Sequence, residues 1–160
     1  MEPVYLSLGS NMQDPRKQLS LAVKQIERRI GDVTRLSSLY LTAPWGNQKQ
    51  EPFLNQVIEV ETEMTPHRLL QELLMIETDM GRVRVQKWEP RMIDIDILFY
   101  GSVVMEGNLN IPHPLLHLRR FTLEPLHELI PDWKHPVLNL TVAEMLKNCP
   151  DIGKVEKLSD

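Results

Sequence analysis

Two aspartates inside an apolar run have the clearest chemical content in this sequence. They are Asp94 and Asp96 of Arg91-Met92-Ile93-Asp94-Ile95-Asp96-Ile97-Leu98-Phe99-Tyr100. Side chains alternate across a strand, so Ile93, Ile95, Ile97 and Phe99 are expected on one face, against helices, with both aspartates on the other. Same-side neighbours lie about 6.6–7 Å apart. That spacing can hold two divalent ions ~3.5–4 Å apart. Asp is depleted in strands, and two on one face repel each other and lose hydration unless a shared cation pair offsets both costs. An all-oxygen donor set suits Mg2+, which shares its remaining positions with water and phosphate oxygens. The bland alternative is a solvated strand face that happens to carry two acids.

The stretch just before it, Arg82-Val83-Arg84-Val85-Gln86-Lys87-Trp88-Glu89-Pro90-Arg91, sets four cations against one carboxylate. Guanidinium groups match phosphate oxygens bidentately. A basic loop alone is ordinary, but one leading straight into an aspartate pair points to a polyphosphate pocket.

Other candidates are single residues. Phe53 and Asn55 alternate with Leu54, which puts them on the face expected for Asp94 and Asp96. A ring beside an amide suits a flat heteroaromatic ligand, stacked and hydrogen-bonded at its edge; loop packing explains the pair equally well. Glu77 interrupts an apolar helical stripe and needs a partner, either Arg82 or Arg84 in a structural pair or a ligand. His113 follows Ile111-Pro112, and Arg119-Arg120-Phe121 comes soon after.

The elements that must position these residues follow from pattern. Val4, Leu6 and Leu8 alternate as a strand that Gly9-Ser10-Asn11 is expected to stop. Asp14-Pro15 then reads as a helix start, with Leu19, Ala22, Val23, Ile26 and Ile30 at helical spacing and Gly31 as the stop. Val33–Thr42 and Phe53–Thr62 read as strands. Thr65-Pro66 opens a second helix with Leu69, Leu70, Leu73, Leu74 and Ile76 as its stripe. Ile93–Tyr100 is the fourth strand. A helix is expected within Leu118–Ile130, blurred by Pro125, and one or two helical turns in Val142–Leu146. The tail from Asp151 carries no pattern. This order predicts an α+β, ferredoxin-like β-α-β-β-α-β sandwich with additional C-terminal helices, in one domain over residues 1–160.

Composition narrows the classes. The chain has 160 residues and a net charge of −4, which argues against bulk nucleic-acid binding. Its single cysteine, Cys149, excludes an internal disulfide and suits a reducing, cytoplasmic setting. A basic-then-apolar leader and a long apolar run are both lacking, so neither secretion nor a membrane partner is expected.

Taken together, these residues resemble the 6-hydroxymethyl-7,8-dihydropterin pyrophosphokinase family of folate biosynthesis. The resemblance rests on Trp88-Glu89-Pro90-Arg91-Met92-Ile93-Asp94-Ile95-Asp96-Ile97, supported by Leu8-Gly9-Ser10-Asn11, Thr42-Ala43-Pro44-Trp45-Gly46, Phe53-Leu54-Asn55, Glu77 with Gly81-Arg82-Val83-Arg84, Pro112-His113-Pro114 and Arg119-Arg120-Phe121. It runs from about Val4 to Pro131. It implies attack of the pterin hydroxymethyl oxygen on the β-phosphorus of ATP, with AMP leaving. It further implies two Mg2+ ions on Asp94 and Asp96, with ATP as co-substrate. Arg82, Arg91 and Trp88 would be catalytic. The nucleotide would meet Glu77, Arg84, Trp88, Arg91, Ile97, His113 and Arg119. The pterin would lie between Phe53 and Phe121 and meet Thr42, Pro44, Trp45, Asn55 and Asp94. A monomer is expected. Three positions depart from the family's usual residues: Glu89 and Arg120 stand where Gly is frequent, and Phe53 where Tyr is common. The loops Gly46–Pro52 and Arg82–Arg91 are expected to order over bound nucleotide. Two rival readings are a palm-type two-metal nucleotidyl transferase or cyclase and an RNA-binding ferredoxin-like module. The first wants a template surface, and the second a basic, aromatic sheet face.

Overall fold

The computed structural model describes residues 2–42, 51–81 and 92–159. Strand β1 (Pro3–Ser10) runs through Gly9 and Ser10 instead of stopping before them. Helix α1 (Pro15–Arg29) starts as its sequence predicts: the Asp14 side chain accepts from Lys17 N, and Pro15 is the first helical residue. Leu19, Ala22 and Ile26 are buried along one face. Gly31 follows because nothing larger fits, since a Cβ there would sit 1.9 Å from the Glu61 carbonyl oxygen.

The expected second strand is two strands. β2 (Asp32–Leu36) and β3 (Tyr40–Thr42) both pair with β4 (Phe53–Glu61). Ser37 causes the break. Its N–H still donates to Val57 O at 2.9 Å, but Val57 N donates to the Ser37 hydroxyl at 3.0 Å, so a side chain stands in for a ladder carbonyl.

Helix α2 (Pro66–Asp79) is capped by Thr65 and buries Leu69, Leu73, Ile76 and Glu77. Leu74 is exposed; one residue on from Leu73, it is turned about 100° off the buried stripe. With strand β5 (Asp94–Tyr100) and a short C-terminal strand β6 (Val155–Lys157), the sheet has the order β5-β1-β4-β3-β6, with β2 also on β4 and all pairs antiparallel. That is the ferredoxin-like sandwich, with its second strand split.

One face of the sheet packs on α1 and α2 through Val4, Leu6, Leu8, Leu54, Ile58, Ile93, Ile95 and Ile97. Phe99 does not join them. The β1–β5 register shifts between Tyr5 and Leu6, which pair with Phe99 and Ile97, so Leu98 is an extra residue in β5. Leu98 is on the face opposite Ile95 and Ile97 by alternation, and the bulge turns Phe99 to that face as well. There they meet Tyr5, Val57, α3 (Arg120–Leu129) and α4 (Val142–Lys147). Pro125 lies within α3 without ending it. The tail adds β6 to the outer edge of β3. Among the described residues, no helix is long and apolar enough to cross a membrane.

Helices α3 and α4 therefore cover only one end of the second face. The other end of that face carries Asp94, Asp96, Phe53 and Asn55.

Candidate active site

Gly9 is the midpoint of the site. It pairs with Asn55 of β4 on one side and with Asp94 of β5 on the other. Two strand spacings put the Asn55 and Asp94 backbones about 10 Å apart, with a side-chain-free floor between them. Neighbouring side chains come close to that floor: a Cβ on Gly9 would lie 3.0 Å from Asn55 Oδ1 and 3.9 Å from the Phe53 ring. A glycine inside an alternating strand signals this kind of close approach. Gly9 is the site residue that reading it as a turn overlooks.

Alternation and register put Asp94, Asp96, Phe53 and Asn55 on one face, as the sequence predicts. Both aspartates are half-buried, and 43% of the Asp96 side chain is exposed. Asn55 and Thr42 are buried, and Asn55 Nδ2 donates to Thr42 Oγ1 at 2.8 Å. This bond fixes the orientation of the Asn55 amide and leaves its oxygen over Gly9. Among the described residues, no three His, Cys, Asp or Glu side chains gather into a metal cage. Two carboxylates on an open face fit a cation that completes its shell with water and substrate oxygens, and do not fit a closed structural metal site.

His113 borders the aspartates. Its N–H donates to Leu98 O at 3.0 Å, and its Nδ1 accepts from Leu115 N at 3.1 Å. Neutral His113 therefore carries its proton on Nε2, which faces Asp96 at 4.0 Å, beyond hydrogen-bond reach. Burial first, then the nearby Arg119 cation, push its pKa down to about 4, against a pull from Asp94. At neutral pH it is an uncharged N–H donor. Arg119 lies with its guanidinium 5.6 Å from the Phe121 ring centroid.

Glu77 reaches the site from behind. It is almost fully buried, and its Oε2 accepts from Ile95 N at 2.7 Å. The Ile97 side chain lies in the core under α1 and α2, on the face away from the two aspartates. Arg120, a departure from the family pattern, pairs with Asp151 and Glu124. Pro44, Trp45, Arg82, Arg84, Trp88, Glu89 and Arg91, and with them most of the two loops, lie outside the described residues. A cavity of about 480 Å³ lies elsewhere, between α1 and the β2–β3 junction, and none of the candidate residues lines it.

The chain is similar to several known proteins. A family model described as 7,8-dihydro-6-hydroxymethylpterin-pyrophosphokinase (HPPK) matches residues 5–131. A Methylorubrum extorquens protein named 2-amino-4-hydroxy-6-hydroxymethyldihydropteridine pyrophosphokinase is 44% identical over 134 residues, covering 82% of this chain and 85% of its own. The folic acid synthesis protein FOL1 of Dictyostelium discoideum is 36% identical over 97% of this chain, which spans only 24% of that longer protein. The crystal structure of Plasmodium falciparum HPPK-DHPS wild type with SDX-DHP superposes with a TM-score of 0.75 at 20% identity, covering 92% of this chain and 43% of that one. At that identity the likeness speaks for the fold alone.

Proposed function

The chain belongs to the 7,8-dihydro-6-hydroxymethylpterin-pyrophosphokinase family, and from that premise we propose that it makes the pyrophosphate ester of 6-hydroxymethyl-7,8-dihydropterin for tetrahydrofolate synthesis. The pterin hydroxymethyl oxygen attacks the β-phosphorus of ATP. The bond from that phosphorus to the α-phosphate oxygen breaks, and AMP leaves. Such transfers depend mostly on positioning and charge neutralisation.

One observation carries the reading: an aspartate pair and an aromatic–amide pair share one sheet face, on opposite sides of a bare glycine. Asp94 and Asp96 would hold two Mg2+ ions, which when bound supply positive charge to the phosphate oxygens. Phe53 and Phe121 would stack on the pterin. Asn55, held by Thr42, would read the pterin edge together with Pro44, Trp45 and Asp94. Neutral His113 would donate Nε2–H to a phosphate oxygen without adding a charge, while Arg84 and Arg119 would add charge. Arg82, Arg91 and Trp88 would close over the reacting groups. Glu77 and the backbone of Ile97 would border the nucleotide from the β5 edge. We take the protein to act as a cytoplasmic monomer with one domain over residues 1–160.

The test is product identity. Given Mg2+, ATP and the reduced pterin alcohol, the protein should release AMP in step with pterin pyrophosphate. Release of ADP, or no dependence on the pterin, would overturn the assignment.

A further inference from the structure

Two walls of the proposed pterin site are braced by one segment of the chain, and that segment lies beyond residue 131, where the family match ends. Strand β6 pairs Val155 with Thr42 and Lys157 with Tyr40 on the outer edge of β3. Leu158 N donates to Leu39 O at 2.8 Å. Just upstream, Asp151 meets the start of α3. Arg120 N donates to Asp151 Oδ2 at 3.1 Å, and Arg120 Nε donates to the Asp151 carbonyl oxygen at 2.9 Å.

Helix α3 needs this partner. The first N–H groups of a helix have no acceptor within it, and Arg119, at the N-cap position, makes no side-chain capping bond. A carboxylate is the favoured group there, both as an acceptor and against the helix dipole. The second Asp151 oxygen accepts from Gly153 N at 2.8 Å, which fixes the orientation of the carboxylate. The residues flanking Arg120 are Arg119 and Phe121, whose side chains lie together.

We propose that Asp151 is a positioning residue: it caps α3 through Arg120 and so sets Phe121 and Arg119 at the ligand, while β6 from the same segment braces Thr42 across the site. The proposal rests on the reading of Phe121 and Thr42 as pterin residues.

Three full-length variants, Asp151→Ala, Asp151→Asn and Phe121→Ala, test it by the KM for 6-hydroxymethyl-7,8-dihydropterin at saturating Mg2+ and ATP, with melting temperature alongside. Asp151→Ala should raise the pterin KM roughly fivefold, the scale of a lost helix cap. The KM for ATP should change less, because Arg119 is one of several cations proposed around the triphosphate. Asp151→Asn keeps an acceptor oxygen and should recover most of the loss. Exchange of the Arg120 amide should quicken in Asp151→Ala. A pterin KM within twofold of wild type in Asp151→Ala, with Phe121→Ala impaired, overturns the proposal and leaves the site reading standing. Asp151→Asn no better than Asp151→Ala also overturns it. An unimpaired Phe121→Ala overturns both the site reading and the proposal.

Discussion

The main-chain N–H of Ile95 donates to the Glu77 carboxylate at 2.7 Å, so helix α2 holds the strand that carries both aspartates. β5 is an edge of the sheet, and an edge strand presents N–H groups with no strand partner. Ile95 lies between Asp94 and Asp96, so this bond fixes the backbone from which both carboxylates project. Glu77→Ala removes the acceptor from a buried N–H. It should cost about 1–3 kcal/mol of stability, read as a lower urea midpoint, while Glu77→Gln keeps an acceptor and should lose less. Equal midpoints for Glu77→Ala and wild type would show that the bond contributes nothing.

Asp96 separates chemistry from folding. Its side chain is 43% exposed, so Asp96→Ala leaves no cavity and should melt close to wild type. Losing one of two proposed metal carboxylates should cost roughly 3–4 kcal/mol of transition-state stabilisation, about 10²–10³ in turnover. Initial rates of AMP release at saturating substrate measure this. Near-normal turnover would falsify the metal assignment.

Gly9 and Gly31 predict opposite phenotypes for the same substitution. In Gly9→Ala the new methyl meets Asn55 Oδ1 at 3.0 Å, a side-chain atom on the ligand face. The fold should survive, and the pterin KM should rise roughly tenfold as the amide is displaced, about 1.4 kcal/mol. In Gly31→Ala it meets the Glu61 carbonyl oxygen at 1.9 Å, which is backbone. That variant should lose stability by at least the usual overpacking cost of about 1–3 kcal/mol, without a pterin-specific change in KM. Melting curves and KM values for the two variants check this together.

The parts legible in the sequence were those set by local chemistry. Asp14-Pro15 and Thr65-Pro66 start their helices because a side-chain oxygen and a fixed φ act within four residues. Alternation placed Asp94, Asp96, Phe53 and Asn55 on one face because pleating is local. What escaped depends on distant partners. Ser37 breaks its strand by bonding to Val57. Leu98 is a bulge only relative to β1, so alternation carried Phe99 to the wrong face. Val155–Lys157 is too short to show a period and is a strand because β3 offers it an edge. Asp151 stands in a tail without periodicity, and its partner Arg120 lies far away in the sequence.

Glu128 gives a prediction for pH. It gathers Ser38 N at 3.0 Å, the Ser38 hydroxyl at 3.2 Å, the Tyr40 hydroxyl at 2.7 Å and Lys157 at 3.8 Å, and so ties α3 to the β2–β3 junction and to β6. Burial pushes its pKa up, but hydrogen bonds from Tyr40 and Ser38 and the charge of Lys157 outweigh burial and hold it below its ordinary value of 4.5. The unfolded chain therefore binds the Glu128 proton more readily than the folded one. The stabilisation is fully present above the ordinary value and is lost as pH falls through the lower, folded one. Glu128→Gln should be less stable than wild type by about 1–2 kcal/mol at pH 7, and the gap should narrow steadily in acid below pH 4.5. Urea titrations of both proteins across that range measure it. A gap that stays constant with pH would mean that the carboxylate charge plays no part in the clamp.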